Sequence, residues 1–173
     1  TRPPEVTILP SLSRRVPAYV GLCKAVQKLE AARLAGEKPA ALLAALEKAV
    51  PNPAETLEHT QFGSCVFANR PGDGSAREQA ASSQKVLGGF ANICYEYATK
   101  RYRSNCINWG IVPFTLSQGE PFPYESGAYV FVPGVRSAIE RGQEEIPAKV
   151  IAKDGVHDLT LYVKNLTPDE KTI

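Results

Sequence analysis

The sequence predicts a mixed α/β domain with an added helical hairpin on its N-terminal side. Three observations predict it. Between residues 62 and 115, short apolar β-prone runs alternate with segments of helical periodicity. Two alternating runs, Ile146 to Ala152 and Asp158 to Val163, flank Lys153-Asp154-Gly155, the pattern of a hairpin with an Asp-Gly turn. Residues 17–51 carry helical periodicity alone.

The elements follow in order. Residues 1–16 are rich in proline and arginine and read as irregular. From Pro17, Tyr19, Val20, Cys23, Val26 and Leu29 recur at helical spacings, and Gly36 is the stop. Ala40, Leu42, Leu43, Leu46 and Val50 mark a second helix ended by Pro51. This hairpin, residues 17–51, reads as packing on or insertion in the domain. The remainder, 52–173, reads as the domain proper. Residues 51–61 are polar and predict a loop. Phe62 to Ala68 predicts a short buried strand, and Asn69 to Gly74 is loop chemistry. A helix is expected from Ser75 to Leu87, stopped by Gly88-Gly89. Next come a strand from Phe90 to Tyr97, a short basic helix from Ala98 to Trp109, and a strand from Ile111 to Thr115. Residues 116–127 read as loop, Tyr129 to Val132 as strand, and Val135 to Arg141 as a short helix. Thr167-Pro168-Asp169-Glu170 is a helix-start signature.

Composition narrows the function classes. The 173 residues suffice for one domain with a core. Twenty basic and 18 acidic residues give a net charge of +2, so charge supplies no reason to expect nucleic acid or an anionic membrane as partner. No apolar run approaches the roughly 20 residues of a membrane helix. Cys23, Cys65, Cys94 and Cys106 form no CxxC pair, and His59 and His157 have no ligand spacing to them. Buried free thiols and a reducing, cytoplasmic compartment are the expectation, with no metal and no cofactor held by this chain. The absence of methionine, the Thr1-Arg2-Pro3-Pro4 start and the lack of a signal segment lead us to expect a piece of a longer protein.

The chemistry concentrates in one turn, Gly72-Asp73-Gly74-Ser75-Ala76-Arg77-Glu78, between a strand and a helix. Free N–H groups and the dipole of a helix start favour an anion. Glycines allow close approach and positive φ. Ser75 sits where an N-cap is expected, and a plain cap is its unexceptional role. Arg77 opposes the dipole, a small cost consistent with holding an anion, or it pairs with Glu78 on the surface. The turn lacks the Lys-Ser/Thr of a P-loop and the third glycine of a dinucleotide fingerprint.

The segment Gly72-Asp73-Gly74-Ser75-Ala76-Arg77-Glu78-Gln79-Ala80 resembles the Gly-x-Gly-Ser-Ser-Arg-Glu-His/Gln-Ala motif of the aconitase superfamily. That motif belongs to the swivelling β/β/α domain, a separate small subunit in isopropylmalate dehydratase. Val86-Leu87-Gly88-Gly89, Ser104-Asn105 and Gly110-Ile111-Val112-Pro113-Phe114 follow the family's order, so the resemblance spans about Phe62 to Thr115. It implies hydration and dehydration of hydroxy-di- or tricarboxylic acids. Ser75 would be an alkoxide base and Arg77 a clamp on a substrate carboxylate, with Gly74 and Ala76 as further substrate-binding positions. It implies a 4Fe–4S cluster on other domains of the parent polypeptide, or on a large subunit. Those would be the partners of this chain, which alone would be inactive. Ala76 stands where the family has its second serine, which implies altered substrate preference or weaker catalysis. Arg2, Arg14 and Arg15 match no family motif for the second substrate arginine. Two other readings stay open: a non-catalytic relative kept for ligand binding or interaction, and an enzyme holding a phosphorylated ligand in the same turn.

Overall fold

The computed structural model describes residues 17–173, so the irregular segment expected at 1–16, with Arg2, Arg14 and Arg15, lies outside the described residues. The helices are α1 (Pro17–Leu34), α2 (Ala40–Glu47), α3 (Pro53–Glu58), α4 (Arg77–Val86), α5 (Lys100–Asn108) and α6 (Val135–Glu140). The strands are β1 (Ser64–Ala68), β2 (Gly89–Cys94), β3 (Val112–Thr115), β4 (Tyr129–Phe131), β5 (Glu145–Ala152) and β6 (Gly155–Tyr162). They form one six-stranded sheet in the order β1-β2-β3-β6-β5-β4. β1, β2 and β3 run parallel; β6, β5 and β4 join antiparallel. The fold is the mixed α/β type that the sequence predicts.

The two halves of the sheet are built differently because their connections differ. Parallel neighbours need crossovers, and α4 and α5 supply them. Both crossovers step in the same direction across the sheet, which places both helices on one face. Paired parallel residues share a face. Val66, Asn92 and Pro113 therefore lie on one side, and Phe67, Ile93 and Phe114 on the other. β5 and β6 need only the two residues Lys153 and Asp154, since Ala152 pairs with Gly155. Gly155 thus opens β6 rather than filling the turn.

Three apolar clusters follow from this layout. The largest joins Ile93 and Phe114 to Ile146, Ala148, Val150, Leu159 and Leu161 of the antiparallel hairpin, with Ala138 of α6 over them. A smaller cluster on the helix side holds Ala81, Tyr102, Cys106 and Ile111. The third belongs to the helical hairpin: Leu42, Leu46 and Leu57 are buried, with Leu29, Phe62, Tyr129 and Phe131 against them. Phe62 precedes β1, and Tyr129 lies on β4, at the opposite edge. Their rings sit 5.9 Å apart, so the sheet curls until its two ends meet.

The helical hairpin is anchored at the far end of the β1–α4 unit from the glycine-rich turn. Glu30 of α1 binds Arg33 through two 2.7 Å bonds and accepts the Phe62 N–H at 3.0 Å. Gln27 donates to the Val86 carbonyl at the end of α4. Gly36 ends α1 with φ +84°; its N–H bonds the Arg33 carbonyl, and the next N–H bonds that of Ala32.

The structure changes several expected boundaries. Residues 51–61 are not all loop, because Pro53 starts the single helical turn and a half of α3, where its missing N–H costs nothing. β2 ends at Cys94 rather than Tyr97, since the chain leaves the sheet there to reach Asn69, whose carbonyl accepts the Tyr95 and Glu96 N–H groups. Thr167 and Glu170 do form a reciprocal capping box, with bonds of 2.9 and 3.2 Å, but the chain continues only as turns. Among the described residues, no helix is long and apolar enough to cross a membrane.

Candidate functional site at the start of α4

The candidate site lies at the C-terminal ends of the parallel strands, where ligands of open α/β sheets bind. β1 ends at Ala68, the chain loops through residues 69–76, and α4 begins at Arg77. Gly72 is the fixed point of this loop. Its φ is +96°, and a Cβ there would stand 2.5 Å from the Tyr102 ring. Both facts require glycine. Gly74 differs: its φ is not positive, and a Cβ added to it would meet nothing.

The Gly72 carbonyl joins two helix starts. It accepts the Arg77 Nε–H at 3.2 Å and the Thr99 hydroxyl at 3.1 Å. Thr99 is the N-cap of α5 and in turn accepts the Tyr102 N–H at 3.2 Å. One carbonyl therefore ties the first residue of α4 to the cap of α5.

The N-cap of α4 is Ala76, not Ser75, and no side chain caps this end. Ser75 stands one residue further out because the φ/ψ of Ala76, −87° and 46°, already lie outside the helix. The N–H groups of Arg77, Glu78 and Gln79 accordingly have no intrahelical acceptor and no side-chain cap. Gly74, Ser75 and Ala76 are exposed, and Arg77 is half-buried.

Arg77 does not pair with Glu78. Its Nε is held by Gly72, and among the described residues no carboxylate forms an ion pair with it. Glu78 turns the other way and accepts hydrogen bonds from Asn105 Nδ2 on α5 and Trp109 Nε1 at the C-cap of α5. The first turn of α5 carries Lys100 and Arg101 and no acid. Two neighbouring helix starts thus both present cations where the dipole disfavours them. This arrangement is suited to a carboxylate or another anion.

Beneath the turn lies a buried polar layer. Gln84 Nε2 donates to Asn92 Oδ1 at 2.5 Å, and Asn92 Nδ2 reaches Tyr102 Oη at 3.5 Å and Cys106 Sγ at 3.4 Å. Burial pushes the Tyr102 phenol up to about 12 and the Cys94 thiol to about 11, and raises Cys106 and Tyr97 as well. These groups stay protonated at neutral pH, so the layer is a neutral floor and leaves the charge to the turn above. Cys23, Cys94 and Cys106 are buried thiols as expected, whereas Cys65, on the edge strand β1, is exposed.

The sequence brought Gly74, Ser75, Ala76 and Arg77 together, and they share one turn. It missed Thr99, Tyr102, Asn105 and Trp109 as its supports. Thr99 before a helical segment was a readable cap signal. The glycine at 72 carried no hint that its partner would be Tyr102, 30 positions on. For a metal or cluster the donor set does not fit: among the described residues, no group of three His, Cys, Asp or Glu side chains could hold one.

A comparison with curated proteins gives no match. A comparison with protein families matches the Aconitase C-terminal domain over residues 33–119. The match begins within α1, covers the whole turn with its supports, and stops in the loop after β3. It spans just over half of the 173 residues. The chain belongs to the aconitase C-terminal domain family, the swivelling domain of aconitase-type hydro-lyases.

Proposed function

We propose that this chain supplies half of a hydro-lyase active site, with Ser75 as the base and Arg77 as the carboxylate clamp, in the hydration or dehydration of a hydroxy-di- or tricarboxylic acid. One observation carries the reading. The first turn of α4 is uncapped from within, so its free N–H groups await an acceptor from outside, beside an exposed Ser75. With Nε bound to Gly72, Arg77 keeps both terminal nitrogens for a carboxylate, the geometry of a two-point grip.

The chemistry follows from this placement. A proton on carbon beside a carboxylate is very weakly acidic, so a strong base is needed. Ser75 serves when N–H dipoles and a guanidinium stabilise its alkoxide. Ser75 Oγ takes the proton. The electron pair of the broken C–H bond becomes the new C=C bond, and the hydroxyl leaves from the adjacent carbon. Gly74 and Ala76 line the approach without blocking it. Departure of the hydroxyl belongs to other domains, on the parent polypeptide or a large subunit, which are the proposed partners of this chain. A 4Fe–4S cluster there would find no ligand set among the described residues of this chain, and no step here runs through it. The isolated chain binds a polycarboxylate weakly and turns nothing over.

Ala76 supports a second reading, a non-catalytic relative that retains only ligand binding. It occupies the N-cap position without offering the oxygen that a serine would. Loss of one hydrogen bond to a charged group costs about 1.5–3 kcal/mol. The deciding experiment is turnover of the whole parent protein, with its cluster reconstituted, carrying Ser75→Ala. A rate loss of about 10²–10⁴-fold supports the base role. An unchanged rate removes it and leaves the non-catalytic reading.

A further inference from the structure

Glu78 follows Arg77 directly and lies in the first turn of α4. An acid there ordinarily favours the helix dipole and faces the free N–H groups. Glu78 does not use that option. It reaches sideways to α5, where Asn105 Nδ2 and Trp109 Nε1 both donate to its carboxylate, one to each oxygen. Asn105 lies in the last turn of α5 and Trp109 is its C-cap, so both donors come from the C-terminal end of that helix. Asn105 commits its amide to this contact and leaves its own Oδ1 buried with no hydrogen-bond partner among the described residues.

We infer that Glu78 is a positioning residue for the Ser75–Arg77 turn, locking the first turn of α4 to α5 through Asn105 and Trp109. The inference rests on the function proposed above. Arg77 is bracketed by two anchors that reach α5 or its caps. One is the Gly72 carbonyl, shared with Thr99. The other is the Glu78 carboxylate. Gly72 holds the guanidinium at Nε, and Glu78 holds the backbone from which it springs. With only the first anchor, the first turn of α4 would be tied to α5 through Gly72 alone, and the three N–H groups and the arginine would converge less tightly. A two-donor contact to an ionised carboxylate has the strength to prevent this.

Trp109 is the single tryptophan of the chain, so its indole N–H gives one isolated NMR signal. The test titrates the full chain with tricarballylate and follows that signal together with the backbone N–H signals of residues 77–79. In the wild type all four should shift along one saturation curve. A merely structural contact would leave the indole signal unmoved by ligand. Glu78→Ala should need roughly tenfold more ligand, and Glu78→Gln, which keeps an acceptor oxygen, an intermediate amount. Trp109→Phe should weaken binding in the same direction by less, which covers the case of a poorly folded alanine variant. An unmoved indole signal, or wild-type affinity in Glu78→Gln and Trp109→Phe, overturns the inference while the Arg77 site stands. If the 77–79 signals do not shift in the wild type, or shift equally in Arg77→Ala, the site itself fails and the inference falls with it.

Discussion

The two halves of the sheet solve opposite problems. The antiparallel half, β6-β5-β4, shares a dry core in which Ile146, Val150 and Leu161 are completely covered. The parallel half, β1-β2-β3, lays α4 and α5 over a layer containing Gln84, Asn92, Tyr102 and Cys106, joined by hydrogen bonds. Apolar burial is non-directional and stabilises the fold. Hydrogen-bonded layers fix orientation, and their net contribution to stability is modest. The half that carries the candidate site is therefore the half built for placement.

This contrast can be broken in order of size. Leu161→Ala should destabilise the chain by about 2–5 kcal/mol, read as a lowered denaturant midpoint, yet leave polycarboxylate affinity intact. A proportional loss of affinity would show that the halves are not separable. Gly72→Ala should cost about 2 kcal/mol or more, because it adds a Cβ against the Tyr102 ring at positive φ. Unlike Leu161→Ala, it should abolish ligand binding, since Arg77 and Thr99 both hang on that residue. Thr99→Ala should cost about 1 kcal/mol through loss of the α5 cap. Its affinity loss should be partial, because Arg77 keeps its own bond to Gly72. Wild-type affinity in Thr99→Ala would remove the shared carbonyl from the account.

The smallest effect is spectroscopic. Tyr102 is one of seven tyrosines, and burial holds its phenol at about 12. Its folded value lies above its unfolded one, so its contribution to stability is complete below pH 10 and is lost as pH rises toward 12. Alkaline ultraviolet titration should show late-ionising tyrosines in the wild type and one fewer in Tyr102→Phe. Identical late ionisation in Tyr102→Phe would contradict a buried phenol at that position.

Legibility in the sequence also divided along this line. The β5–β6 hairpin was readable because alternation has a period of two and its turn is local. Helices α1 and α2 were readable for the same kind of reason. The site turn was readable as a motif, so Ser75 and Arg77 were singled out as candidates before the fold. What holds them was not readable. The Gly72–Tyr102 contact and the Glu78 bonds to Asn105 and Trp109 join residues 27 to 31 positions apart, and no local pattern encodes such a pair. The N-cap was misplaced by one residue because serine is the better cap by propensity, while the loop geometry gives the position to Ala76. Cys65 was misread as buried because apolar neighbours in sequence do not reveal that β1 is an edge strand.

The central claim is that the turn from Gly72 to Arg77 is a carboxylate site. Titration calorimetry of the full chain with citrate-like acids tests it most directly. Arg77 forms no ion pair among the described residues, so Arg77→Ala should cost no more than about 1.5 kcal/mol, the worth of its hydrogen bond to Gly72. The wild type should give weak, saturable heats that Arg77→Ala abolishes. Identical heats in the two proteins would contradict the account.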